Sequence, residues 1–376
     1  MRFCAMRFLA FSDLHLDAPF AQGGRDLADL RRAELRRTLR RITGLAAELD
    51  VDALLCAGDL YEHDRFTPDT VTLLEREFEA IAPIPVLISP GNHDWYGPRS
   101  LYRAAGWGEN VHVFTSGEWT AWNGLDGFRI WGFAHQAPSG TPNPFEGFQA
   151  IGEAVHLGLF HGSEDSGWSW ASQRDDRKLP HAPFSVEHIS TAGLTHAVVG
   201  HYHQRVEGAV HTYGGAPAPL SFGEVGDGGA VELEFDDAGE LVERKWHTVF
   251  ELEVHGNLEL DVSGCGSIGE IEDKLAELLA PLSGIGRVTL VGELSPTANW
   301  NIERLAARKG SLEHLSVRMG ELRAGYDLDQ IRGESSVKGE FVRAVEADRE
   351  MGPELKQRVI VTGLRALDGY GDLEVV

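Results

Sequence analysis

The sequence predicts an α/β protein built in layers, followed by a smaller region in which strands and helices are mixed. Two observations carry this prediction. Over the first 200 residues, short apolar runs rich in β-forming residues alternate with longer segments of helical periodicity. From about residue 250 onward, shorter strand and helix patterns follow one another without that regular order. We therefore expect one domain over residues 6–250 and a second over residues 251–376.

The individual elements follow from the spacing of apolar residues. Helices are expected where leucine and other apolar residues recur on one face, over residues 26–49, 68–81, 267–280 and 335–347. Strands are expected at the short apolar runs 8–11, 53–57, 86–88, 154–160, 195–199 and 287–291, with hairpin strands within 111–133.

The composition is that of a folded chain with a strong acidic excess. Its 376 residues include 34 Lys and Arg against 58 Asp and Glu, a formal net charge of −24, and 42% of them are hydrophobic. A basic surface is the usual mark of a nucleic-acid-binding protein, so this charge at first argues against such a partner. However, residues 1–110 carry a net charge of only −4, and the remaining −20 lies after them.

Cysteine content and hydropathy indicate an intracellular chain. The three cysteines, Cys4, Cys56 and Cys265, are far apart and give neither a disulfide framework nor a zinc ribbon, so we expect a reducing compartment, the cytoplasm. We expect no membrane partner, because no apolar run reaches the roughly 18 residues of a membrane span. We expect no signal peptide, because residues 1–15 lack a long apolar segment that ends in a small-residue cleavage site. Met-Arg-Phe occurs at residues 1 and 6, which leaves open whether Met1 or Met6 is the natural start.

Polar motifs follow five of the apolar runs, at the point where each predicted strand ends. Because the carboxyl ends of parallel strands meet at one edge of a sheet, we expect these five loops to converge on one site. Their carboxylates, amide and imidazoles form a mixed N/O set large enough for two divalent metal ions. The motifs are Asp13-Leu14-His15, Gly58-Asp59, Gly91-Asn92-His93-Asp94, His161-Gly162 and Gly200-His201-Tyr202-His203.

In this order the five motifs resemble those of the calcineurin-like metallophosphoesterases, D-x-H, G-D, G-N-H-D, H-G and G-H-x-H. The resemblance implies a four-layer α/β/β/α sandwich with a small C-terminal α+β capping domain. It also implies two metal ions bridged by Asp59. Asp13, His15 and His203 would complete one metal site, and Asn92, His161 and His201 the other. The implied catalytic residues are His93, as general acid or as stabiliser of charge on the leaving oxygen, and Asp94, which would orient the His93 ring.

Further segments are similar to one branch of that family, the SbcD-like and YhaO-like DNA-repair exonucleases. They are residues 12–20, 58–61, 181–185, 213–217 and 221–224. The similarity implies manganese-dependent cleavage of DNA in double-strand-break repair, a homodimer and an SMC-like coiled-coil ATPase partner. Fe²⁺, Mg²⁺ and Zn²⁺ remain possible metals. Glu62, where relatives often carry Asp or His, the additional His63, and Gly214 in place of a proline depart from the pattern.

Basic residues near these motifs are candidates for contacts with substrate phosphates. Arg99 and Arg103 follow the Gly-Asn-His-Asp motif closely, and His63 could line the rim of the site. Residues 31–41 carry six arginines on a predicted helix, for which a solvated face that makes i,i+4 ion pairs is the favoured interpretation.

Two other functions remain open at this stage. The chain could act on a small phosphorylated metabolite as a phosphodiesterase or phosphatase, or it could be a non-catalytic scaffold on the same fold. The sequence also leaves open the polarity of cleavage, exonuclease against endonuclease action, and single-strand against double-strand preference. The identity of the ATPase is open as well.

Overall fold

The protein is described by a computed structural model that covers residues 5–21, 23–165, 181–224, 228–294 and 301–369. Contacts divide these residues into two units. The first runs to Leu220 and resumes for the stretch that ends at Glu251. The second takes in Ser221–Glu224 and everything described from Leu252 onward. The predicted boundary at residues 250/251 remains a prediction, because compact units do not show that either part folds alone.

The first unit consists of alternating strands and helices over its amino-terminal part. Its strands are β1 (Met6–Phe11), β2 (Ala53–Cys56), β3 (Val86–Ile88), β4 (Val111–Val113), β5 (Thr120–Leu125), β6 (Phe128–Gly132), β7 (Val155–His161), β8 (His196–Gly200), β9 (Val206–Glu207), β10 (His211–Tyr213), β11 (Ala230–Phe235) and β12 (Leu241–His247). Its helices are α1 (Gly24–Glu48), α2 (Pro68–Glu79), α3 (Leu101–Ala104) and α4 (Val186–Thr191).

These strands form two mixed sheets. The first has the order β12-β11-β1-β2-β3-β4, with β1 to β4 parallel and β11 and β12 antiparallel. The second has the order β5-β6-β7-β8-β10-β9, with β6, β7, β8 and β10 parallel. Phe11 pairs with Cys56, and His161 pairs with Gly200, so the strand ends that precede the polar motifs lie side by side.

Alternation along β1 separates two hydrophobic cores. Leu9 and Phe11 belong to the core that also contains apolar residues of α1 and α2. Phe8 and Ala10, on the opposite face, belong to a core shared with strands of the second sheet, including Ile130 of β6. A third core lies on the other side of the second sheet, where strand residues and α4 pack together.

The second unit contains one parallel sheet of three strands with helices around it. Its strands are β13 (Val254–Asp261), β14 (Ile285–Leu294) and β15 (His314–Ala324), in the order β13-β14-β15. Its helices are α5 (Ile268–Leu279), α6 (Ile302–Ala306), α7 (Leu328–Gly333), α8 (Val337–Ala347) and α9 (Pro353–Leu367). Apolar residues of α5 pack against β14.

The predicted helices and strands are confirmed, with ends that differ by up to about three residues. One assignment is wrong: residues 111–113 are not a hairpin strand, because β4 pairs in parallel with β3 and extends the first sheet. Only β5 and β6 form the hairpin. Along the described residues, no helix combines the length and the apolar character that crossing a bilayer requires.

Candidate metal centre

The loops that follow β1 and β2 run side by side and carry the first three candidate ligands. The backbone N–H of Asp13 donates to the Gly58 carbonyl at 3.0 Å, and the N–H of His15 donates to the Asp59 carbonyl at 2.9 Å. These bonds continue the parallel pairing of β1 and β2 beyond the ends of the strands. The side chains of all three candidate ligands are buried. The convergence expected from the strand ends is therefore present.

Four of the seven candidate ligands have left-handed backbone conformations. Their φ angles are 55° at Asp13, 49° at His15, 53° at Asp59 and 113° at His201. Such values are uncommon outside glycine, although Asp and His adopt them more readily than most residues. Strained conformations of this kind persist only where the surrounding structure enforces them, and they concentrate at functional sites.

Two motif glycines allow the buried ring of His161 to pack against neighbouring backbone. A Cβ atom on Gly91 would lie 2.3 Å from Asp59 Oδ1 and 2.8 Å from His161 Cγ. A Cβ atom on Gly200 would lie 2.1 Å from the Ala57 carbonyl and 2.8 Å from His161 Nδ1. No side chain can occupy either position without moving the ligand loops, which explains the glycines in these motifs.

His161 presents one ring nitrogen to the candidate site. Its Nδ1 lies 2.9 Å from the Ala57 carbonyl and donates to it, which leaves Nε2 facing Asp59 Oδ2 at 3.2 Å and Asn92 Oδ1 at 3.1 Å. Burial disfavours the imidazolium, but the Asp59 charge outweighs it and raises the pKa of His161 to about 9. Three ligand atoms therefore meet at one point.

His15 also faces Asp59 Oδ2, the oxygen that lies near His161. Its Nδ1 is 2.7 Å from Glu62 Oε1, and its Nε2 is 3.7 Å from Asp59 Oδ2. His15 Nε2 is buried and has no hydrogen-bond partner among the described residues. A buried imidazole nitrogen whose lone pair has no partner is what a metal ion would satisfy.

The remaining candidate ligands lie around these two histidines. Asp13, His15 and His203 can each offer a ligand atom within 4.8 Å of the others, and so can Asp13, Asp59 and His161. The backbone N–H of His201 donates to both Asp13 oxygens, at 3.1 and 3.2 Å. The His201 ring lies beside that of His161, with 5.2 Å between their centroids. These carboxylates, imidazoles and one amide suit two divalent cations, which supports the fit of the site to metal.

His93 stands at the mouth of this group and is held by Glu62. Its side chain is 46% exposed, and its Nδ1 lies 3.0 Å from Glu62 Oε2. Burial lowers the pKa of His93, but the hydrogen bond to Glu62 and the Asp59 charge raise it to about 9. Glu62 contacts both His15 and His93, and these contacts outweigh the burial of its carboxylate and lower its pKa to about 2.

Asp94 does not orient the His93 ring, contrary to the interpretation from sequence. Its buried carboxylate accepts from the backbone N–H groups of Asp59, Leu60 and Gly91, at 3.1, 2.7 and 2.6 Å. The phenol of Tyr102 donates to it at 2.5 Å. Side chains at adjacent positions point in different directions here, so Asp94 fixes the two ligand loops while Glu62 contacts His93.

The candidate phosphate contacts lie beside the motif that carries His93. Arg99 and Arg103 are exposed and have no carboxylate partner among the described residues, and the Arg103 guanidinium lies over the ring of Tyr96 at 4.4 Å. The His63 ring stacks on Trp95, with centroids 4.2 Å apart and an angle of 19° between the planes. His63 is therefore partly covered by aromatic packing, while the two arginines remain open to a ligand.

The six arginines of residues 31–41 are occupied by contacts within the protein. Arg31 is buried and donates to the Pro219 carbonyl. The others pair with carboxylates: Arg32 with Asp29, Arg36 with Asp17 and Asp69, Arg37 with Glu34, Arg40 with Glu77, and Arg41 with Glu34 and Glu251. The expected ion pairing is confirmed, but the expected i,i+4 pattern on a solvated face is not. Arg31 is buried, and the pairs span three or seven residues or reach other segments.

Comparison with known sequences decides the family. Residues 6–205 match the family described as Calcineurin-like phosphoesterase. The chain belongs to this family. As a calcineurin-like phosphoesterase it is 29% identical over 211 residues to the uncharacterized metallophosphoesterase YhaO of Bacillus subtilis (strain 168). That alignment covers 53% of this chain and 49% of YhaO, so the chain spans about half the length of this relative.

Several solved structures are similar to this calcineurin-like phosphoesterase at low sequence identity. The protein TT1561 of Thermus thermophilus is 16% identical, with 64% of this chain and 99% of that chain covered and a TM-score of 0.37. The phosphoesterase Yfce of E. coli is 13% identical, with 64% and 99% covered and a TM-score of 0.27. The family assignment rests on the sequence match.

Glu62 is the residue of this calcineurin-like phosphoesterase that the sequence patterns left without a role. It appeared only as a departure from the pattern of relatives, four residues after Gly58. Its position in the loop that begins with Gly58-Asp59 could have identified it, because that loop lies beside the loop that carries His93. The contact itself joins residues 31 positions apart, Glu62 and His93, and is visible only in the fold.

Proposed function

We propose that this chain is a two-metal phosphodiesterase that hydrolyses DNA as an exonuclease, with endonuclease action open, and serves as the nuclease subunit in double-strand-break repair. One observation carries the two-metal part. The single oxygen Oδ2 of Asp59 lies 3.2 Å from His161 Nε2 and 3.7 Å from His15 Nε2. A carboxylate between two sets of donors is the arrangement that a bridging ligand requires.

The proposed ligand sets divide on either side of Asp59. Asp13, His15 and His203 would hold one ion, and Asn92, His161 and His201 would hold the other. Two divalent cations supply Lewis-acid stabilisation of the phosphoryl group and a nucleophile at neutral pH. Manganese is the metal we expect, and the donor set also accommodates Fe²⁺, Mg²⁺ or Zn²⁺.

The protein groups supply proton transfer and orientation. His93 would act as the general acid: Glu62 would accept from Nδ1–H, which leaves Nε2–H to donate a proton to the leaving oxygen of the diester. His161 and His15 each have Nδ1 occupied by an oxygen acceptor, so their Nε2 atoms stay aimed at Asp59. Asp94 keeps the two ligand loops in register.

DNA as the substrate is supported by the motifs shared with the exonuclease branch and by Arg99 and Arg103. Phosphate contacts by arginine position nucleic acid without reading its sequence, so a few accessible arginines suffice. His63 is a weaker candidate because of its stacking on Trp95. The SMC-like coiled-coil ATPase and a homodimer, with residues 68–81 as its candidate surface, belong to the same proposal.

The finer architecture is also part of the proposal. We infer a four-layer α/β/β/α sandwich, which is supported by the three hydrophobic cores of the first unit. A small capping domain over residues 252–369 stays part of the proposal, but its α+β class is not supported, because parallel strands that alternate with helices (β13-α5-β14-α6-β15) are an α/β arrangement.

Hydrolysis assays with added Mn²⁺ test the function directly. Wild type should degrade a labelled DNA duplex and also cleave bis-p-nitrophenyl phosphate. Asp59→Ala and His93→Ala should each lose at least about 100-fold on both substrates, whereas Asp126→Asn, an exposed change in the β5–β6 turn, should not. Full metal-dependent hydrolysis by either alanine variant would contradict the proposed mechanism.

The pairing of the α1 arginines favours a second candidate function. Because those guanidinium groups are neutralised within the protein, few cations remain for a long polyanion, as expected for a phosphodiesterase of small metabolites. Activity on bis-p-nitrophenyl phosphate with none on DNA would support this alternative. Inactivity on both substrates, with metal bound, would instead indicate a scaffold.

A further inference from the structure

Arg205 lies directly beyond the last candidate ligand and has no assigned role. It follows His203 by two residues, in the loop that continues from β8. The backbone of this loop is fixed, because the His203 carbonyl accepts from the N–H of Ala216 at 3.0 Å. Arg205 is exposed and has no carboxylate partner among the residues that the structure covers.

An aromatic ring supports the Arg205 guanidinium. Its Cζ atom lies 5.5 Å from the ring centroid of Trp246, on β12. Trp246 is itself held in place, since its indole N–H donates to the Gly214 carbonyl at 3.2 Å. Stacking of this kind orders an arginine without neutralising it, so the charge stays available to an anion.

The same arrangement occurs beside the other end of the candidate centre. Arg103 stacks on Tyr96 at 4.4 Å, close to the loop that carries His93. The ring of His15 contacts both His93 and His203, with centroid distances of 4.7 and 5.4 Å. The two loops that lead to the stacked arginines therefore both adjoin His15.

These two arginines contrast with those of α1. In a chain of net charge −24, five of the six arginines in residues 31–41 pair with carboxylates. Arg103 and Arg205 pair with aromatic rings, which suits them for binding an external anion. A small phosphodiester would need only the centre itself, whereas two cations beside the loops of His93 and His203 suit a longer strand that carries several phosphates.

We propose that Arg205, backed by Trp246, contacts a backbone phosphate of DNA beyond the scissile bond, as the counterpart of Arg103. This inference rests on the proposed function, because it concerns how that substrate is held. It makes Arg205 a residue for binding extended substrates, with no part in the chemistry at the centre.

The test measures DNA affinity against salt for Arg205→Gln by fluorescence anisotropy of a labelled duplex, with Mn²⁺ bound and in a His93→Ala background, where cleavage is slow. Loss of one phosphate contact should reduce the slope of log K against log salt by about 0.9 and weaken binding several-fold at about 0.1 M salt. Arg205→Lys keeps the charge and should retain the slope. Arg349→Gln, which removes another exposed arginine, is the matched control.

Hydrolysis of bis-p-nitrophenyl phosphate separates the possible outcomes. Unchanged hydrolysis with a reduced slope for Arg205→Gln supports the proposal. An unchanged slope overturns the proposed role of Arg205 and leaves the nuclease function standing. A loss of small-diester hydrolysis also overturns that role, because Arg205 would then act at the centre or in the fold. Wild type that cleaves the small diester yet neither binds nor cleaves DNA would overturn the proposed substrate and this inference together.

Discussion

Glu62 and His93 are joined by a contact of 3.0 Å between Oε2 and Nδ1. The other oxygen of the same carboxylate contacts His15 at 2.7 Å, so one side chain orients both the candidate acid and a candidate ligand. This double contact assigns Glu62 a positioning role for two histidines of the site.

We predict that Glu62→Gln lowers turnover of bis-p-nitrophenyl phosphate by about 10–100-fold, because partners of ligands and catalytic histidines have effects of that size. Mn²⁺ affinity, measured by calorimetry, should also fall because His15 loses its carboxylate partner. Glu79→Gln, at the exposed end of α2, is the control. Unchanged turnover in the Glu62 variant would show that His93 needs no carboxylate partner.

We predict that Asp94→Asn lowers the free energy of unfolding by about 2 kcal/mol, because an amide nitrogen in place of one carboxylate oxygen leaves two buried donors without an acceptor. Tyr102→Phe removes one donor and should cost about 1 kcal/mol. Urea denaturation in EDTA measures both values without a contribution from metal. A change below about 0.5 kcal/mol for Asp94→Asn would refute its role in joining the loops.

A pair of glycine variants tests the packing around His161. Gly91→Ala should abolish stoichiometric Mn²⁺ binding, because its Cβ atom would lie 2.3 Å from Asp59 Oδ1. Gly44→Ala, inside α1 and with nothing within 4 Å of its new Cβ atom, should stabilise the fold by about 0.5–1 kcal/mol. Metal content after dialysis measures the first effect, and urea denaturation measures the second. Normal metal content in Gly91→Ala would contradict the packing argument.

His196 predicts how stability depends on pH. Burial lowers the pKa of this histidine to about 3, whereas the unfolded chain titrates near the ordinary value of 6.5. Between these two pH values the unfolded state binds a proton that the folded state does not bind. The contribution of neutral His196 to the free energy of unfolding is therefore complete above about pH 6.5 and is lost as the pH falls.

The stability difference between wild type and His196→Gln should therefore shrink by about 2 kcal/mol from about pH 7.5 to about pH 5, at roughly 1.4 kcal/mol per pH unit. Urea denaturation in EDTA at the two pH values provides the measurement. Val242→Gln, an exposed change on β12 that removes no titratable group, should show no comparable change. A His196→Gln difference that stays constant with pH would rule out linkage through this residue.

Much of the fold and of the candidate site followed from the sequence, because both rest on local patterns. Apolar periodicity defined α1 and β1, and the rule that parallel strands end at one edge brought Asp13, Asp59 and His161 together. What remained hidden depends on contacts between distant segments. The partners of the α1 arginines are on α2 and at Glu251, and no periodicity shows which charges will meet.

The roles of Asp94 and Glu62 were missed for a related reason. Adjacency along the chain suggested that Asp94 serves His93, but side-chain direction depends on the turn of the backbone. The carboxylate turns inward to three N–H groups, and the half-exposed His93 turns outward to Glu62.

The left-handed backbone at Asp13, His15, Asp59 and His201 means that stability and activity oppose each other at these positions. Glycine adopts such φ angles without strain, so a change such as Asp13→Gly would relax the loop while removing a candidate ligand. Selection for stability alone would favour that exchange. Asp and His at positions where glycine fits better are therefore the cost of a centre whose candidate ligands lie on left-handed turns of the backbone.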